Sequence, residues 1–97
     1  MATYATLYRF TDQGIRDVKE SPDRLAGAIK QGKKFGVKVL SAHYLQGPYD
    51  LVVISEAKDE DTATAFALVI ASQGNVQSTT MRAWSAEDFK KVVAKMP

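Results

Sequence analysis

The sequence predicts an α+β fold of the split βαβ, ferredoxin-like kind: a four-stranded antiparallel sheet, two main helices on one of its faces, and a short C-terminal helix. Three observations predict it. Strand-like and helix-like segments follow one another in the order β-α-β-β-α-β within 97 residues, the arrangement that folds as one sheet with helices on one side. The two middle strand-like segments are separated only by Gly47-Pro48-Tyr49, a turn signal that implies an antiparallel hairpin. At 45% hydrophobic and 25% charged, with no linker, repeat or low-complexity stretch, the chain reads as a single domain over residues 1–97.

Each element has its own local reason. Residues 3–10 (TYATLYRF) are rich in β-branched and aromatic types and end at the polar cluster Thr11 to Gly14, as a strand running into a loop does. Ser21-Pro22-Asp23 offers an N-cap, a proline for the first turn and an early acid, and Leu25, Ala28, Ile29 and Phe35 recur at helical spacing as far as Gly36. This predicts a first helix over 22–35, in which Gly27 and Gly32 are either close-packing positions or simple weaknesses. Val37 to Gln46 and Asp50 to Ala57 are the hairpin strands. Lys58 to Asp61 puts three carboxylates at the start of a second helix, where they compensate its dipole without any metal. Ala63, Phe66, Ala67, Ile70 and Ala71 continue that helix, apolar nearly all round and so expected to be well buried. Asn75 to Trp84 is the fourth strand, and Ser85 caps a last helix from about Ala86 to Met96.

Alternation along the strands divides the sheet's faces. Leu40, Ala42, Val53, Met81 and Ala83 are compact and aliphatic and are assigned to the helix side with Ala5 and Leu7. Ser41, His43, Thr80, Arg82 and Trp84 have the opposite parity and are assigned to the open side, together with Tyr4, Thr6, Tyr8 and Phe10.

Composition excludes several function classes. There is no cysteine and a single histidine, so disulfides, thiolate nucleophiles and cysteine-type metal sites are absent, and neither a metal site nor a cofactor is expected. The net charge of +2 is unevenly spread, with +4 in residues 1–49 and −2 in 50–97. The excess, carried by Arg24, Lys30, Lys33, Lys34 and Lys38, reads as a solvated helix face, and no nucleic-acid partner is expected. No apolar run is long enough to span a membrane, and the N-terminus has neither the basic nor the apolar region of a secretion signal, so a cytoplasmic address is expected. A chain this short buries only about two thirds of its unfolded surface, so a further apolar face calls for a second copy, as a homodimer or higher homo-oligomer.

The segments Arg9 to Arg16 (RFTDQGIR), Ser21 to Leu25 (SPDRL), Gly47 to Asp50 (GPYD) with LVVISEA after it, and Gly74 to Gln77 (GNVQ) together resemble the GYD domain family over nearly the whole chain. Pro48 interrupts the family's short namesake motif. The resemblance implies a dimeric α/β barrel, in which two ferredoxin-like sheets face each other, and a family without a settled biochemical role. The wider superfamily it resembles includes cofactor-free monooxygenases, lactone isomerases, haem enzymes and ligand-sensing modules, so fold does not decide function.

Two readings of the candidate residues follow. In the first the protein is a homo-oligomeric module that binds a small aromatic or anionic metabolite between facing sheets. Tyr8, His43, Arg82 and Trp84 would line that site, Arg82 and Trp84 by charge and stacking. In the second it is a cofactor-independent isomerase or monooxygenase using His43, whose ordinary pKa lies near neutrality, with Tyr49 or Asp50 for proton transfer. Each residue has a plainer role too: Asp50 accepting amides of the turn or of a neighbouring strand, and the aromatics filling an interface. Asp12, Arg16 and Arg24 form either a salt-bridge network or an anion site. No nucleophile-base-orienter set and no glycine-rich phosphate loop is present, which favours the binding reading.

Overall fold

A computed structural model describes residues Met1–Pro97. In chain order it contains β1 (Ala2–Phe10), α1 (Asp12–Arg16), a 3-10 turn (Val18–Glu20), α2 (Ser21–Phe35), β2 (Val37–Tyr44), β3 (Leu51–Ala57), α3 (Glu60–Ser72), β4 (Val76–Ala83) and α4 (Ala86–Val93). The strands form one antiparallel sheet in the order β2-β3-β1-β4, with α2 and α3 on one face. The ferredoxin-like α+β fold expected from the sequence is therefore the fold observed.

Caps explain where the helices begin and end. Asp59 accepts a hydrogen bond from the Thr62 amide at 2.8 Å and Ser85 one from the Asp88 amide at 3.0 Å, satisfying amides that the first turn leaves free. Gly36 adopts a left-handed φ of 91° and closes α2, a conformation that glycine takes without strain. Ser21 is not a cap: it is already helical, and its hydroxyl meets the Tyr44 hydroxyl at 2.8 Å, tying the start of α2 to the end of β2. The glycine question in α2 resolves both ways. A Cβ on Gly32 would stand 3.1 Å from the Val37 carbonyl and 3.3 Å from the Phe66 ring, whereas one on Gly27 meets nothing within 4 Å. The first is a packing position, the second a weakness.

Three expectations are corrected. The polar stretch after β1 is a short helix, α1, capped by Thr11 rather than a loop. Only Ala63 and Phe66 of α3 are buried, and Leu68 is 64% exposed, because a helix lying on one sheet face covers a single stripe of its surface. Face parity is reversed on two strands. In the observed register Tyr4, Thr6, Tyr8 and Phe10 stand opposite Arg82, Thr80, Ser78 and Val76, and all of this set faces the helices, with Tyr4 in the core beside Val37, Ala57, Ala63 and Phe66. Ala5 and Leu7 share the open face with Met81, Val52 and Ile54. Aliphatic residues occupy both faces, so polarity did not mark the helix side; the helix side needed the long aromatics to fill the gap beneath α2 and α3. On β2 a bulge at Leu40 shifts the register, returning Ala42 to the helix side and His43 to the open side as expected.

The molecule measures 51 × 31 × 18 Å with a radius of gyration of 14.4 Å, against about 12.5 Å for a compact chain of this length. Helix α4 packs extensively on no other element. Its Phe89, Val92 and Val93 are largely exposed, as is Met96 beyond it.

Candidate functional site

The sheet and the two main helices do not close completely on each other. Between them lies a cavity of about 90 Å³ walled by Tyr8, Leu25, Ile29, Phe66 and Ile70, among others. β1 supplies its floor because four of its alternate residues face the helices; α2 and α3 supply its roof through their apolar stripes. Burial pushes the Tyr8 phenol above its ordinary value, since a tyrosinate there would lose its water, so Tyr8 stays a neutral donor at physiological pH. Arg24 reaches the cavity from α2, and its Nη1 donates to the Asp17 carbonyl at 2.9 Å. Its Nη2 and the Tyr4 hydroxyl are both buried without a partner.

The residues singled out in the sequence are dispersed. Tyr8 borders the cavity. His43 is exposed on the opposite face, level with Val52. Arg82 and Trp84 come together as expected, but with each other: the guanidinium lies 4.5 Å from the Trp84 ring and 5.9 Å from that of Tyr4, and it donates to the carbonyls of Thr3, at 3.0 Å, and Ala83. The Trp84 ring also meets Phe89 of α4 edge-on at 6.5 Å. Tyr8 and Arg82 therefore do not share a surface with His43, and these residues do not form one pocket within a chain.

Tyr49 lies beneath the Arg9 guanidinium at 4.8 Å. Asp50 stands where three chain segments meet. Its carboxylate accepts the Phe10 amide at 2.8 Å, its own amide donates to the Tyr8 carbonyl at 2.8 Å, and its carbonyl accepts the Leu45 amide at 2.8 Å. No hydrogen bond links His43 to either Tyr49 or Asp50. Asp12, Arg16 and Arg24 form no ion pair; the salt bridge in the chain joins Lys90 and Glu87 on exposed α4. No group of three or more His, Asp and Glu side chains gathers in a way that could hold a metal ion, and no helix is long and apolar enough to cross a membrane.

Sequence reasoning missed a clasp between α1 and the α3–β4 loop. The Thr11 hydroxyl donates to the Gly74 carbonyl at 2.6 Å and accepts from the Gly14 amide at 3.1 Å, while Gln13 Nε2 donates to the Gln73 carbonyl at 3.1 Å and to Asn75 Oδ1 at 3.0 Å. A Cβ on Gly14 would stand 2.0 Å from the Asn75 carbonyl oxygen. The only sequence signal was a pair of glycines beside amide side chains in two distant segments, and nothing local says that these meet.

Two comparisons bear on this arrangement. The family model described as GYD domain matches residues 4–93. A protein of Thermus thermophilus named "Glutamine synthetase and cystathionine beta-lyase binding protein" is 33% identical over 90 residues, which cover 92% of this chain and 95% of that protein.

Proposed function

This chain belongs to the GYD domain family, and from that premise we propose that it is a small, cytoplasmic, homo-oligomeric binding module that engages other proteins and holds a small aromatic or anionic metabolite. One observation carries the reading: the chain leaves two apolar surfaces uncovered. The open sheet face presents Ala5, Leu7, Val52, Ile54 and Met81 in adjoining rows, and α4 turns Phe89, Val92 and Val93 to solvent. A soluble monomer rarely leaves adjoining apolar residues uncovered on this scale, and a self-complementary patch closes by two-fold pairing. A second copy takes the sheet face. The relative's name, which records binding to two enzymes, supports a protein partner for the surface left free in the dimer.

The metabolite's place on the helix side, not between the facing sheets, is supported by Tyr8 and the cavity lying there. Proton transfer through His43 with Tyr49 or Asp50 has no comparable support, because His43 is exposed on the open face and no hydrogen bond links it to either side chain. Light scattering at micromolar concentration tests the assembly, with a dimer or larger species expected and a single-chain mass overturning it. Calorimetric titration into glutamine synthetase purified from the same cell tests the partner. Saturable binding is expected, and no heat up to about 100 μM, where a Kd near 1 μM would saturate, counts against that enzyme as the target.

A further inference from the structure

We infer that the space between the sheet and helices α2 and α3 is a binding site for a compact apolar monocarboxylate, whose carboxylate is taken by Arg24 and whose hydrocarbon body fills the cavity. The inference deepens the metabolite half of the proposed function and rests on it; it is independent of the assembly and of the protein partner.

One cationic group on the cavity wall lacks a counter-charge. Arg24 Nη2 is buried without a partner, and no carboxylate of the chain pairs with the guanidinium. A buried donor left without a partner is costly, and the guanidinium that carries it is always charged. The Asp17 carbonyl holds Nη1 at 2.9 Å, which steadies the group and leaves its other nitrogen free. An incoming carboxylate supplies what is missing, since the guanidinium matches its planar geometry and the bond is charge-assisted. Side chains with neutral hydroxyls stand near Arg24 on the helix side of the sheet. Tyr44, Leu51 and Tyr8 lie in one cross-strand row, and Tyr44 reaches Ser21, three residues before Arg24 on α2. Tyr8 is a neutral phenol whose ionisation burial disfavours further, and it does not repel an anion.

Size and lining select the rest of the ligand. A volume of about 90 Å³ lies between the roughly 30 Å³ share of one water and the roughly 150 Å³ apolar cavity that admits benzene. A branched body of about three or four carbons fits that range. The surrounding Leu25, Ile29 and Phe66 favour hydrocarbon and offer nothing to a hydrated phosphate. The other orphaned group, the Tyr4 hydroxyl, belongs to a residue four positions before Tyr8 on β1, about 13 Å along the strand. One charge and one apolar body therefore define the class.

The test uses the full chain in its native assembly, with 3-methylbutanoate as probe and 3-methylbutan-1-ol as its uncharged counterpart, in calorimetry and thermal melting. The acid is expected to bind saturably, to raise the melting temperature, and to bind at least tenfold more tightly than the alcohol. Arg24→Gln should lose at least tenfold in affinity for the acid while keeping that for the alcohol, and Arg24→Lys, which restores a charge at the same point, should recover part of the loss. Benzoate measures the size limit, with weaker binding than 3-methylbutanoate expected. No binding of the acid up to 10 mM, about the weakest affinity worth assigning to a site, overturns the inference, as does equal binding by Arg24→Gln. If the parent is a dimer but takes no carboxylate, the site fails while the assembly stands; if a monomer binds the acid, the reverse holds.

Discussion

Replacing Gly14 with alanine measures how firmly α1 is fastened to the sheet. The added Cβ would lie 2.0 Å from the Asn75 carbonyl oxygen, where ordinary contact needs about 3.4 Å or more, and both sides of the clash are backbone, so no side chain can swing away. The two segments must separate by over an ångström. That displacement acts on the Thr11 amide's bond to Asn75 at 3.1 Å, the Thr11 hydroxyl's bond to Gly74 at 2.6 Å and Gln13's bond to Asn75 at 3.0 Å. Losing two of them costs about 2–3 kcal/mol, offset by roughly 0.5–1 kcal/mol gained from alanine's helix preference. The net loss of about 1–2.5 kcal/mol corresponds to a fall of roughly 4–20 °C in melting temperature for a domain of this size. Thermal unfolding followed by circular dichroism at neutral pH reads it, with Gly27→Ala as the contrast. Nothing lies within 4 Å of a Cβ there, and that variant should gain up to about 1 kcal/mol. A Gly14→Ala protein that melts no lower than the parent refutes the steric account of the clasp.

Asp50→Ala strands the Phe10 amide that the carboxylate now accepts at 2.8 Å; a loss of about 1–3 kcal/mol is expected in urea unfolding, and a parent-like midpoint would show that the bond contributes little. The hydrogen bond from the Thr62 backbone amide holds the Asp59 carboxyl below its ordinary value, so its stabilisation is complete above the unfolded pKa near 4 and is lost as pH falls through the lower folded value. Asp59→Asn, still a cap, should melt like the parent at pH 7 yet show a flatter acid limb; an unchanged acid limb counts against that linkage. The Tyr8 phenol, raised by burial, adds stability that is intact below pH about 10 and disappears as pH climbs through its folded value, so absorbance titration should show one tyrosine ionising late, and Tyr8→Phe should remove that phase. Ile54→Lys, in the middle of the open face between Ala5 and Ser41, should convert the proposed oligomer to a monomer in light scattering; persistence of the parent mass would move the interface elsewhere.

Local chemistry made the element order readable. Ser85 and Asp59 cap helices because a short polar side chain beside an amide-rich first turn has one obvious use, and Gly36 ends α2 for an equally local reason. The face assignment failed at Tyr4, Tyr8 and Phe10 because alternation reports that two faces differ without saying which one meets the helices, and here both carry apolar residues. Asp50 could be read as an amide acceptor from its neighbours, but its donor, Phe10, lies 40 residues away.

Composition and patterns spanning a few residues were enough for the fold class, the absence of thiol chemistry and the family resemblance. Tertiary contacts were needed to establish that Tyr8 and Arg82 are separated from His43 by the thickness of the sheet, that Arg24 lacks an acidic partner beside an apolar cavity, and that Gly14 lies against Asn75. Each of these depends on strand register or on contacts between segments far apart in the chain, and a shift of one residue in register exchanges the faces of a whole strand.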